Sequence, residues 1–542
     1  MTETQPDFNS RRSTVYATGG MLASSQPLAS AAGARILEQG GNAADAAVAC
    51  AAALNVTEPA STGLGGDMFA LFYDAKTRQV SALNGSGRAP SGLSLERLRM
   101  EGLGAELPPF HAHTVTVPGA CAGWCDLIER HGSLPLSQIL APAVQLASQG
   151  FPVAPMTAHF WQNGAQRQLQ SAPNGLELTI AGRGPQAGEI FRNPGLARAL
   201  QTIAEGGKQA FYQGPIAEAI AQVLQAAGGC MTVDDLAAHS STWEQPASVT
   251  FGGLRVHECP PNGQGLTALL ALNLLEGFDL SGLNLLSPQR LHLQIEALRL
   301  AFADARWYIS DPAFSAIPLA ELLSKEYAAQ RRKLINPTAA TLDQQRGRPF
   351  ASSDTVYFCA VDRWGNACSF INSNYMGFGT GIVPQGWGFT LQNRGHNFSL
   401  QAGHPNALAP GKRPYHTIIP ALITREKDGS LFGPFGVMGG FMQPQGHVQV
   451  FLALAQGLDP QDALDLPRFC LEDGQPADTV ALEEGIPLRS MARLAEMGHN
   501  VRPVSGWGRA LFGRGQVILR EADGVLRAGS DPRADGCAQA VL

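Results

Sequence analysis

Charge is scarce in this chain. Only 15% of its 542 residues are Asp, Glu, Lys or Arg, and the formal net charge is −6. No long run of like charge occurs. The densest basic cluster, Arg331-Arg332-Lys333, falls in a helical stretch and reads as a solvated face, which leaves nucleic-acid binding without support. No stretch of 18 uninterrupted apolar residues exists, so no membrane span is expected. The opening "MTETQPDFNSRRSTVYATGG" has no apolar core of signal-peptide length. Nine cysteines are scattered, and an odd count argues against a complete disulfide framework. Cys121 and Cys125 are four apart and read as packing. His257 and Cys259 in "VHECPPNGQG" lack a second ligand pair at zinc spacing, so neither a metal nor a cofactor is expected. These signs favour a reducing, cytoplasmic compartment. A GxSxG nucleophile motif is missing as well.

Apolar residues are plentiful, at 44%, so the chain is globular with a large core. Its length fits roughly three or four domain-sized units, or one large layered domain. Residues 26–56 carry two small-residue helical patterns. The second opens on Asn42, a good N-cap, with Asp45 three residues on to favour the helix dipole. "GLGGDMFALFYDAKTRQVSALNG" reads as a glycine turn and a hairpin with "DAKTRQ" at its tip. Residues 117–300 are mostly helical by periodicity, and "QRLHLQIEALRLAFADARWYI" is the clearest amphipathic helix. Residues 335–354 are polar and aperiodic and read as an exposed linker. Strands and glycine turns then run from 355 to about 450.

The linker ends at "SSDTVYFCAVDRWGN". The aromatic and β-branched run from Thr355 to Val361 predicts a strand, and most such strands are plain core. A cut before Thr355 would give it a second meaning. A threonine hydroxyl is a weak nucleophile that needs a base. A freed α-amine, with a pKa of about 7.7–8.0, is partly neutral at physiological pH and close enough to take the hydroxyl proton. Acyl transfer also needs donors for an oxyanion. In "GVMGGFMQPQG" the bare Gly439-Gly440 pair lets backbone N–H groups approach a ligand, although most such pairs are simple turns.

The chain resembles the γ-glutamyltranspeptidase (glutathione hydrolase) family of N-terminal-nucleophile hydrolases. The likeness runs over nearly its full length, through "ILEQGGNAADAAVA", "TGLGGDMFALFYDA", "VPGACAGWCDLIERHG", "ECPPNGQG", "TVYFCAVDRWGNACSF", "GFGTGIV", "PGKRPYHTIIPAL", "GVMGG" and "GSDPRADG" in the family's order. The resemblance implies an α+β fold, a four-layer αββα sandwich. It implies self-cleavage between Asp354 and Thr355. The products would be a helix-rich large subunit, 1–354, with a disordered N-terminus and a flexible tail near 335–354, and a small subunit, 355–542. Thr355 would be the nucleophile, Ser373 would match a second threonine beside it, and Gly439 and Gly440 would match the oxyanion hole.

The substrate residues match less well. The family arginine that grips the glutamyl α-carboxylate aligns with Ser86; Arg88, two residues on, keeps the strand face and reads either as a substitute or as a surface or ion-pair residue. Asn397 stands where an acidic residue holds the α-amino group. His416 and Thr417 stand where a serine pair follows "KRP", Tyr375 where asparagine is frequent, and Arg394 where glutamine is common. The segment "AGHPNALAPGKRP" is much shorter than in members with a lid loop, so hydrolysis is expected to dominate over transfer. The resemblance thus implies a γ-glutamyl hydrolase and transferase acting on glutathione and related amides. The alternatives are an amidohydrolase of the same fold for an oxamate-type or glutaryl-cephalosporin-type amide, and an unprocessed binding protein. The partners implied are a small-molecule acyl amide and the two subunits of one precursor, with no nucleic acid and no membrane. Pairing of two such heterodimers stays open.

Overall fold

The computed structural model describes residues 12–342, 354–472 and 479–542. Two seven-stranded antiparallel sheets form its centre. The first runs Cys537–Val541, Gly20–Ser24, Asp354–Asp362, Ala367–Tyr375, Asp67–Asp74, Gln79–Gly85 and Thr242–Glu244. The second runs Val15–Ala17, Leu526–Ser530, Arg514–Arg520, Leu431–Met438, Ala421–Arg425, Leu254–Glu258 and Ala247–Phe251.

Alternation along the strands builds the layers. In Asp354–Asp362, Val356, Phe358 and Ala360 face a helical layer that includes Pro27–Glu38, Ala43–Thr57 and Ala120–His131. Tyr357, Cys359 and Val361 face the other way, into a core shared with Ile418, Leu422 and Ile518 of the second sheet's side. On the far side of the second sheet, Val256, Ile423, Val437 and Leu519 pack under Gly265–Leu275, Pro288–Tyr308 and Met442–Ala455. The result is the αββα sandwich.

Local readings hold where the signal is local. Helix Ala43–Thr57 starts at Asn42 with a full capping box to Asp45, worth about 1 kcal/mol. Every residue of this helix is buried, and its alanines let it lie close against Pro27–Glu38. The Asp67–Asp74 and Gln79–Gly85 hairpin forms in register, Asp74 opposite Gln79.

The part before Thr355 is helix-rich and the part after it strand-rich, and both sheets interleave strands from the two. Two expectations are corrected. Helix Pro288–Tyr308 is not a surface amphipathic helix: Arg290, His292, Glu296, Arg299 and Arg306 are buried along with its apolar face. The polar flank is covered by the following segment. His292 Nε2 donates to the Asn336 carbonyl at 2.7 Å, and Glu296 accepts the Thr341 N–H at 2.9 Å. The stretch 335–342 is therefore docked rather than a free tail, with Ile335 buried and the Ala340 N–H on the Met497 carbonyl. The rest of that linker and the first 11 residues lie outside the described residues. No helix among those described is long and apolar enough to cross a membrane.

Candidate active site

Thr355 is the second residue of its strand and shares the side of Tyr357 and Cys359, which face the other sheet. The neighbouring strand carries a bulge here. Asp354 faces Tyr375 and Val356 faces Asn372, so Ser373 and Asn374 together oppose Thr355. That extra residue aims the Ser373 hydroxyl at Thr355, with Oγ to Oγ1 at 3.0 Å. Both side chains are fully buried. From the other flank, Ser373 pairs with Asp67 in register. The glycines of "TGLGGD" serve this approach, since a Cβ on Gly66 would stand 2.3 Å from the Ser373 carbonyl oxygen.

Ser373 Oγ accepts two hydrogen bonds, from the Tyr375 N–H at 2.9 Å and from Arg394 Nη2 at 3.1 Å. A hydroxyl has two lone pairs, so Ser373 is not placed to accept the Thr355 proton as well. Arg394 is wholly buried; its Nη1 reaches Thr417 Oγ1 at 2.7 Å, and its guanidinium lies 4.5 Å over the Tyr375 ring. Burial lowers its pKa to about 10, against the pull of Asp67 and Tyr375. Tyr375 holds φ at +80°, a strained value for a bulky residue. Three contacts fix it there: its N–H on Ser373, its ring under Arg394, and its hydroxyl on Asn397 Oδ1 at 2.6 Å.

His416 donates through Nε2 to Asp67 Oδ2 at 2.9 Å. Burial, and then Arg394, push its pKa down to about 4, so it is neutral at pH 7. Burial raises the Asp67 carboxyl, but the His416 bond, Arg394 and Gln392 outweigh that and leave it below its usual range. Asp67 Oδ1 accepts from the Gly87 N–H at 2.9 Å and from Gln392 Nε2 at 3.0 Å.

Gly439 and Gly440 follow the strand Leu431–Met438 with φ of +132° and +60°. The Gly439 carbonyl accepts the Met442 N–H, and a trans peptide points the Gly440 N–H the opposite way. Gln264 holds the Gly440 and Thr417 carbonyls. Gly436 of the same strand lies under the Tyr357 ring, which sets this strand against the one that begins at Thr355.

The structure thus brings together Thr355, Ser373, Tyr375, Arg394, Asn397, Thr417 and His416. It does not bring Arg88. That guanidinium is turned to the Ser240 carbonyl at 3.2 Å. The strand ends at Gly85, so the two-residue alternation that made Arg88 a substitute no longer operates. The side chain of Asp354, on the other side of the expected cut, lies outside the described residues. Asp67, Gln264 and Gln392 were missed from sequence. Asp67 had one legible signal, a carboxylate between a glycine turn and an apolar strand. As for metals, His292, Glu296 and His499 place ligand atoms within 4.8 Å of one another. Their own hydrogen bonds account for that, His292 Nδ1 to His499 Nε2 at 2.8 Å and His292 Nε2 to Asn336.

A family model described as Gamma-glutamyltranspeptidase matches residues 29–541. The glutathione hydrolase-like YwrD proenzyme of Bacillus subtilis (strain 168) is 38% identical over 531 residues, 97% of this chain and 99% of that protein. The oxamate amidohydrolase proenzyme of Klebsiella pneumoniae is 34% identical over 534 residues, 96% of this chain and 98% of that one. A solved structure of cephalosporin acylase from Bacillus halodurans is 44% identical with a TM-score of 0.92, covering 100% of this chain and 99% of its own. This chain belongs to the γ-glutamyltranspeptidase family.

Proposed function

We propose that this enzyme cuts its own backbone between Asp354 and Thr355 and then hydrolyses small amides of the γ-glutamyl type. The free α-amine of Thr355 takes the proton of its own hydroxyl. Oγ1 attacks the amide carbonyl, and the tetrahedral oxyanion is met by backbone N–H groups at Gly439 and Gly440. The α-ammonium gives that proton to the substrate's leaving nitrogen, the C–N bond breaks, and an ester is left on Thr355. Water, deprotonated by the same α-amine, attacks the ester and releases the acid. The observation that carries this reading is the 3.0 Å contact between Thr355 Oγ1 and Ser373 Oγ, held at a bulge at the head of a buried strand. The proenzyme names of the relatives support the self-cut. Their differing names, glutathione hydrolase-like and oxamate amidohydrolase, leave the acyl group to the residues around Thr355. Residues 402–414 make a short turn, tied to itself by Lys412 on the Pro405 and Ala407 carbonyls. That supports hydrolysis over transfer to an amino-acid acceptor.

Thr355→Ala tests the reading. The variant is expected to stay full length and inactive on γ-glutamyl-p-nitroanilide, while Thr355→Ser cleaves slowly. Mass spectrometry of the purified chains would show both outcomes. An active preparation with no fragment beginning Thr-Val-Tyr-Phe would overturn the mechanism. A wild-type chain that stays whole and silent would mark a binding protein instead.

A further inference from the structure

Two opposite charges are buried beside the Thr355 hydroxyl, and they act on a base there in opposite senses. Asp67 faces Ser373 in register and is ionised at neutral pH. A carboxylate at this range favours a protonated amine, so alone it would disable the α-amine that a cut frees on Thr355. Arg394 supplies the other sign. Its Nη2 is two contacts from the nucleophile, 3.1 Å to Ser373 Oγ and then 3.0 Å to Thr355 Oγ1. Thr417 Oγ1 at 2.7 Å and the Tyr375 ring at 4.5 Å fix it there. Both bonded partners are neutral hydroxyls, and Asp67 is bonded to His416, the Gly87 N–H and Gln392 instead, so no ion pair with Asp67 quenches the guanidinium. The other titratable groups nearby do not take this part. Burial leaves His416 neutral at about 4 and keeps the protons on Tyr357 and Tyr375. Arg413 also feels Asp67, but it is turned to the Ser86 carbonyl at 3.1 Å and stands 3.9 Å from Glu244. In the second sheet Arg514 faces Met438 and is paired with Glu58 at 3.3 Å.

We infer that Arg394 is a positioning residue for the base: its charge offsets that of Asp67, so the α-amine of Thr355 is neutral near pH 7 and can take the hydroxyl proton. The same guanidinium, through Ser373, stabilises the charge that grows on Oγ1 as it attacks. This rests on the self-cut before Thr355, because without it there is no amine to tune. It gives Arg394 a part in the chemistry that does not depend on which acyl group is bound.

The test is the pH profile of kcat on γ-glutamyl-p-nitroanilide with the mature, self-cut protein. Acetylation of the Thr355 amine by acetic anhydride across pH, read by mass spectrometry of the small subunit, gives its midpoint apart from turnover. In the wild type that midpoint is expected at or below about 8, the value of a free α-amine. A midpoint a full unit higher overturns the inference. Arg394→Gln keeps an N–H for Ser373 but removes the charge, and is expected to raise the acid limb and the midpoint by about one pH unit. Arg394→Lys, which keeps the charge, should hold both near the wild-type values. Asp67→Asn, which keeps an oxygen for His416, should move both about one unit the other way, and the double variant should return them. A limb and midpoint unmoved by Arg394→Gln overturn the inference. A raised KM over an unmoved limb does so too, since Arg394 then holds substrate instead. If Arg394→Gln fails to fold or to cut, Asp67→Asn and the wild-type midpoint decide, and a limb that stays or rises in Asp67→Asn overturns the inference. Failure of the parent reading is distinct, because then the wild type yields no chain that begins at Thr355 and no amine there to label.

Discussion

Ser373 Oγ lies 3.0 Å from the Thr355 hydroxyl, the proposed nucleophile, and its proposed role follows from what its oxygen already accepts. With Tyr375 and Arg394 on its lone pairs, it orients Thr355 Oγ1 and does not deprotonate it. Removing it also strips Arg394 of one of its two bonded partners. Ser373→Ala is expected to keep the fold, judged by circular dichroism, and to lower kcat about ten- to a hundredfold. That corresponds to a lost hydrogen bond from a charged donor worth about 1.5–3 kcal/mol. A rate unchanged within a factor of two would show that the contact is incidental. Thr355 itself was legible in the sequence, since a threonine between an aperiodic linker and an apolar strand is a local pattern. The neighbouring Asp67 offered only a carboxylate after a glycine turn, because its place comes from register with Ser373, more than 300 positions away.

At the level of elements, the turn after Leu431–Met438 is the proposed source of the oxyanion amides. Gly439 at φ +132° lies in a region essentially reserved for glycine. Gly513, itself at φ +71°, backs the turn so closely that a Cβ on Gly439 would stand 3.2 Å from the Gly513 Cα. Arg468 in turn holds the Phe512 carbonyl at 2.9 Å and pairs with Asp531 at 2.7 Å. Gly439→Ala is expected to cost about 1–3 kcal/mol of stability. Its effect on kcat should be larger, about a hundred- to a thousandfold, because an oxyanion donor moves. Melting temperature and kcat measured on one preparation separate the two effects. A variant that melts lower but turns over normally would remove these glycines from the chemistry. The glycine pair could be read from "GVMGG", where strand and turn are contiguous. Its support from Gly513, Arg468 and Asp531 could not, because side-chain contacts between distant segments leave no local pattern. Arg88 failed for a related reason: alternation holds only while the strand lasts.

Over the whole molecule, a cut before Thr355 would not separate the parts. Each seven-stranded sheet takes strands from both sides of the cut. Buried polar pairs cross it as well: Glu58 with Arg514, Asp67 with His416, and Glu258 with His447. These pairs also set the acid limit. Burial lowers His416 to about 4 and His447 to about 3, against about 6.5 in an unfolded chain. A histidine kept neutral by folding lends its full stability above 6.5 and loses it as pH falls toward the folded value. For His416 alone that is on the order of 3 kcal/mol between about pH 6.5 and 4. The mature pair is therefore expected to elute as one species at pH 7.5, with a melting temperature that falls steadily from pH 6.5 to 5. His447→Gln should flatten part of that slope at some loss of stability at neutral pH. A melting temperature constant from pH 7.5 to 5 would mean that these histidines titrate as freely in the folded protein as in the unfolded chain.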